Sequence, residues 1–143
     1  MLPALEKKFK IYYLTAIFSL IFAVVGFSYN AWRLEVSEDN SNIRTAAFEV
    51  LTELSVLQQL IYSAHFDHDK SAGNPRVGWV KVGLIVDLSA LISKPVETKA
   101  IDLKNVWSKS WDTFANNRNS TDQLILKIDA VRNAIKSTLK NLD

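Results

Sequence analysis

The chain of 143 residues contains no cysteine. That excludes disulfides, thiolate metal sites, a lipoprotein lipobox, covalent c-type haem and a cysteine nucleophile. It leaves the compartment open, because a helical domain of this size can fold in an oxidising space without cross-links. Glycine is scarce, with four residues in all, so a glycine-rich phosphate cradle is not expected. The single methionine is Met1, ahead of the apolar run described below, which leaves no Met/His pair for haem within a helical domain. No nucleophile–base arrangement, paired carboxylates or zincin motif can be read. The sequence therefore carries the expectation of a protein that is not an enzyme and needs no cofactor.

An excess of one charge is also missing from most of the chain. The formal net charge is +2. All of it sits ahead of the apolar run, in Glu6, Lys7, Lys8 and Lys10, while 14 basic and 14 acidic residues cancel from Trp32 onward. A nucleic-acid binder gathers Lys and Arg on one face. Here the signs alternate, so nucleic acid is not an expected partner.

What is present is unevenly distributed. Between Lys10 and Arg33 lie 22 residues without a charge, IYYLTAIFSLIFAVVGFSYNAW. About 20 apolar residues suffice to cross a bilayer as a helix. Thr15, Ser19 and Ser28 are small enough to bond back to helix carbonyls. Tyr12 and Tyr13 mark one end and Tyr29 and Trp32 the other, as interfacial aromatics do. The three lysines precede the run, and Glu35, Glu38 and Asp39 follow Arg33. The positive-inside bias then places residues 1–10 in the cytoplasm and residues 33–143 outside it, with 11–32 as an anchor in a bacterial-type inner membrane. The competing reading is a signal peptide cut after Ser28, with Gly26 and Ser28 as the small residues. The length of the run and its aromatic ends favour an uncleaved anchor.

Beyond the anchor, residues 37–42 (SEDNSN) either end the membrane helix, with Ser41 or Asn42 capping a new one, or form a solvated stretch of one continuous helix. Ile43, Ala47, Val50, Leu54, Leu57, Ile61 and Ala64 then follow a heptad seam, widened by Leu51 and Leu60. Residues 67–75 (DHDKSAGNP) break it. Residues 77–92 fit a strand through Val80, Val82, Leu84 and Val86, or a helix through Val77, Val80, Leu84, Leu88 and Leu91. Their length, and the lack of a second strand to pair with, favour the helix. Lys94 and Pro95 are expected to stop it. A third stripe runs through Val96, Ala100, Leu103, Trp107, Trp111 and Phe114, ending at Asn116 and Asn117. Ser120 and Gln123 have capping-box spacing. Leu124, Ile128, Val131, Ile135, Leu139 and Leu142 give a fourth stripe. The expected architecture is all-α: a single N-terminal transmembrane helix followed by an antiparallel four-helix bundle whose last helix returns Asp143 toward the membrane.

Candidate functional residues are few. Trp107 and Trp111 are four apart and are expected to face the core. Trp79 could join them in an aromatic pocket or partner-facing patch, with Arg76 beside it for an anion or carboxylate. His65, Asp67, His68 and Asp69 form the one cluster of potential metal ligands; His65 and His68 are three apart and could share a cation, and a helix end would put His65 and Asp69 on one face. No third ligand can be identified to complete a site around either pair, and no metal is expected. Asp87, inside an apolar run, is expected to face solvent. Residues 119–121 (NST) match a glycosylation sequon.

The layout resembles bacterial sensor modules in architecture alone. A receptor that signals across the membrane needs a second span, and none follows residue 32 in this sequence. The expected function is therefore an accessory or scaffolding component of a membrane complex. Its expected partners are the bilayer and either another membrane or extracytoplasmic protein or a second copy. A ligand-sensing bundle that signals through a partner, and a membrane-held inhibitor or immunity-like protein, are the alternatives.

Overall fold

The computed structural model describes residues 2–142, and side chains for 5–142; Met1 and Asp143 lie outside the described residues. Among the described residues there are four helices and no strand: α1 (Leu2–His65), α2 (Pro75–Ala90), α3 (Lys94–Ser110) and α4 (Arg118–Lys140). The chain divides into two compact units, Met1–Asp39 and Asn40–Asp143.

In the first unit, every described side chain from Leu5 to Asp39 is exposed. The helix there is long and apolar enough to cross a membrane. Thr15 donates its hydroxyl to the Ile11 carbonyl at 2.9 Å, which satisfies a polar group on an apolar helix. The Tyr29 and Trp32 rings stand 6.1 Å apart. Residues 37–42 are helical, so of the two readings of that stretch the continuous helix holds. No glycine or proline occurs between Gly26 and Gly73 to interrupt it.

In the second unit, the heptad seam of α1 is the core. Ala47, Val50, Leu54, Leu57, Ile61 and Ala64 are buried, as is Leu60, while Ile43 and Leu51 pack partly buried against them. α1 ends at His65. His68 takes a left-handed backbone (φ 53°), a conformation histidine tolerates better than most residues, and the Asp69 amide turns back to the Ser63 carbonyl at 3.0 Å. Asn74 caps α2, its side chain accepting from the Arg76 amide at 2.9 Å, with Pro75 at the first helical position.

α2 is a helix, as its length suggests, but the face expected to be buried is not. Gly78, Val82, Ile85 and Ser89 are buried, whereas of the expected face Val77, Val80, Leu84 and Leu91 are exposed, Val80 to 69%, and Leu88 packs partly buried against the core. The helix is apolar on both sides, so hydrophobic period alone cannot choose between them. Packing chooses: a side chain at Gly78 would run into the Trp107 ring, so that position must stay small and face α3.

Two boundaries also differ from expectation. Lys94 and Pro95 start a helix instead of stopping one: α2 has already ended at Ala90, and Pro95 lies in the first turn of α3, where its missing N–H costs nothing. α4 begins at Arg118, capped by Asn117, whose side chain accepts from the Ser120 amide at 3.1 Å. Ser120 is thus inside the helix, and the capping box with Gln123 does not form. Asn117 reaches the donor first because it stands three residues ahead of it.

α3 ends at Ser110, before the third stripe does. Residues 111–116 form a turn that brings Phe114 back into the core, fixed by the Phe114 amide on the Ser110 carbonyl at 2.8 Å. The buried Thr121 hydroxyl donates to the Phe114 carbonyl at 2.8 Å and ties this turn to α4. Leu124, Ile128, Val131 and Ile135 of α4 are buried, as their spacing suggests.

Polar contacts link the helices of this unit. Lys81 of α2 reaches Glu53 of α1, with Nζ 3.1 Å from Oε1 and 2.8 Å from Oε2. Arg132 of α4 donates to Gln58 Oε1 of α1 at 3.0 Å. The Ser93 and Thr138 hydroxyls lie 3.1 Å apart, and Asn40 Nδ2 donates to the Leu142 carbonyl at 3.2 Å.

Candidate interaction surfaces

The tryptophans do not form one cluster. Trp79 and Trp107 meet edge to face, with centroids 6.5 Å apart and planes at 89°. Trp107 also packs on Phe114 at 5.3 Å. Trp107 is fully buried, and its Nε1 has no hydrogen-bond partner among the described residues. Trp111 does not face the core as expected; it is 39% exposed. Trp111 keeps a helical backbone, its amide on the Trp107 carbonyl at 2.9 Å, so it lies at the edge of the stripe, and the turn that follows returns Phe114 to the core. Arg76 is exposed in the first turn of α2 and makes no ring contact with the tryptophans among the described residues. Trp107 and, partly buried, Trp79 thus serve packing, whereas Trp111 and Arg76 stand at the surface.

The candidate metal ligands are separated by the end of α1. His65 Nδ1 lies 3.1 Å from the Ala115 carbonyl. Asp69 lies beyond the helix, not one turn along its face, and its Oδ1 accepts from the amides of Ser71 and Ala72 at 2.8 and 3.0 Å. His68 is exposed on its left-handed backbone. Among the described residues no group of three or more His, Asp or Glu side chains gathers around a common point. Asp87 is exposed. In the sequon, Asn119 is exposed but the Thr121 hydroxyl is buried and already bonded to Phe114.

Two exposed surfaces remain that were not expected as surfaces. One is the outward side of α2, where Val77, Val80, Leu84 and Leu91 are bare. The other is a groove of about 550 Å³ between the end of α1 and the outer side of α4. Tyr62, Phe66, Ile125 and Leu126 give it apolar and aromatic walls, and Asp122 and Asp129 stand on the α4 side. Tyr62 and Phe66 meet edge to face at 5.6 Å. The volume falls within the range of binding clefts. The available sequence signals were Phe66, left over after the seam ends, and Leu126, out of step with the α4 stripe and lying between two aspartates seven residues apart.

Comparison with known proteins finds no matching family model, no matching curated protein and no matching solved structure.

Proposed function

We propose that this chain is a membrane-anchored helical-bundle interaction protein, an accessory or scaffolding component of a membrane complex. The observation that carries this reading is the first half of α1. It has no charge over residues 11–32, and every described side chain there is exposed. A helix that is apolar on all sides is stable in a surrounding that is itself apolar, and a bilayer is the surrounding its length fits. The lysines ahead of it and the carboxylates behind it support a cytoplasmic N-terminus and an extracytoplasmic domain in a bacterial-type inner membrane.

The second unit is read as an antiparallel four-helix bundle. The contacts of Glu53 with Lys81, Gln58 with Arg132, and Ser93 with Thr138 support that arrangement, as do the short connections between helices. Its bare apolar surface on α2 supports docking to another protein or to a second copy.

The test is purification of the full-length protein in mild detergent, followed by mass spectrometry of what accompanies it. A stable complex or a defined oligomer is expected. Recovery of a monomer alone would overturn the interaction reading. Topology is tested separately: the chain has no cysteine of its own, so a Ser71→Cys variant in intact cells is expected to react with a membrane-impermeant maleimide. Labelling only after lysis would reverse the orientation.

A further inference from the structure

The groove beside α4 combines features that select a partner by chemistry. Asp122 and Asp129 are seven residues apart, which is two helical turns, or about 10 Å. Leu126 lies between them, and all three line the same groove as Tyr62 and Phe66. Both carboxylates are solvent-accessible, at 65% and 54%. The pair of Asp122 with Arg118, 3.8 Å long and exposed on both sides, is one that solvent weakens and a competing cation can displace, whereas the pair of Asp129 with the half-buried Arg132 is made through Oδ1 alone.

The wall that carries Tyr62 is held in place. Arg132 bonds both Asp129 and Gln58 Oε1, and Gln58 Nε2 donates to the Tyr62 hydroxyl at 3.1 Å. The hydroxyl is thus an acceptor for Gln58 and keeps its own proton to donate. Less of the side chain's freedom is then left to be lost when a ligand binds.

The groove is open to solvent, and its α4 side runs from Thr121 to Asn133, more than three helical turns. Such a shape takes a chain segment better than a compact small molecule. We propose that it binds a basic amphipathic helix of a partner protein, with Lys or Arg residues seven apart facing Asp122 and Asp129 and large apolar residues between them on Leu126, Tyr62 and Phe66. This rests on the interaction-protein reading above and names the chemistry of the partner.

The experiment uses the full chain in nanodiscs of zwitterionic lipid, with empty nanodiscs subtracted. The probes are fluorescein-labelled helical peptides with a Leu/Phe face and a charged pair at the edge. One carries Lys at spacing seven, a second carries Lys at spacing four, and a third carries Glu at spacing seven. The spacing-seven Lys peptide is expected to bind about tenfold more tightly than either other peptide, and to weaken as salt rises. Asp122→Asn with Asp129→Asn is expected to remove that preference, and Asp122→Lys with Asp129→Lys to transfer it to the Glu peptide. These sites are exposed, so an unchanged thermal melt checks that the variants fold. Binding that ignores the aspartate variants, or no peptide binding above empty nanodiscs, would overturn the proposal. If a partner recovered with the full-length protein is held equally by the aspartate variants, the groove assignment fails while the interaction reading stands. If no partner is recovered and no peptide binds, both fail.

Discussion

The two halves of α1 belong to one helix and are both rich in apolar residues, yet they meet different surroundings. In the first half the apolar residues have no preferred side, and every described side chain is exposed. In the second half they fall on one seam, and that seam is buried from Ala47 to Ala64. Charge follows the same division. Residues 11–32 carry none, whereas the second half carries charges, with Glu53 turned inward and met by Lys81. The difference teaches that the period of the apolar residues, more than their number, decides what a helix needs around it. A seam asks for protein on one side and water on the other. An unbroken apolar cylinder asks for an apolar medium on every side.

The comparison breaks most sharply at Leu54. Leu54→Ala leaves a cavity in the buried seam and should destabilise the second unit by about 2–5 kcal/mol, read from chemical denaturation. Val24→Ala, the same kind of truncation in the first half, should leave that transition within about 0.5 kcal/mol of the parent. Equal effects at both positions would mean that the first half is also packed against protein.

Val24→Arg probes the opposite environment. A charge in the middle of a spanning helix costs about 2.5–3.5 kcal/mol on insertion. The variant should shift part of the protein from the carbonate-resistant membrane fraction to the soluble fraction. Full retention, with an unaltered distribution, would count against the span.

Gly78→Ala sharpens the contrast between the two sides of α2. The added methyl meets the Trp107 ring and should cost about 1–3 kcal/mol, with a change in tryptophan fluorescence. Gly83→Ala, where the space is open, should be neutral or stabilise the helix by up to about 1 kcal/mol. The smallest expected effect is at Asn117. Removing its cap by Asn117→Ala should cost about 1 kcal/mol, while Ser120→Ala should cost less because its side chain is not the cap. A larger loss at Ser120 would restore the capping box.

Much of the helical framework was legible because spacing states it directly. The α1 seam and the α4 stripe from Leu124 to Ile135 are buried where their steps of three and four put them. Asp87 faces solvent, as a charge in an apolar run does when no partner draws it in. The candidate surfaces were harder to see. Trp111, four residues after Trp107, lies at the edge of the α3 stripe, and spacing alone does not say how wide the buried stripe is. The α4 groove depends on Phe66, beyond the end of one helix, meeting residues some sixty positions later in the chain. No local period records such a meeting.

The sequence by itself therefore determined the helical class, the division of charge, the continuous apolar run and the inner faces of α1 and α4. These follow from composition and period, which act within a few turns of one helix. Only the tertiary structure decided which side of α2 faces inward, where α3 stops, and which polar and aromatic groups share a groove. Those outcomes turn on volume and on groups distant in the chain. Gly78 must stay small because Trp107 fills the space beside it, and Asp122 and Asp129 gain aromatic neighbours only when α4 lies against the end of α1.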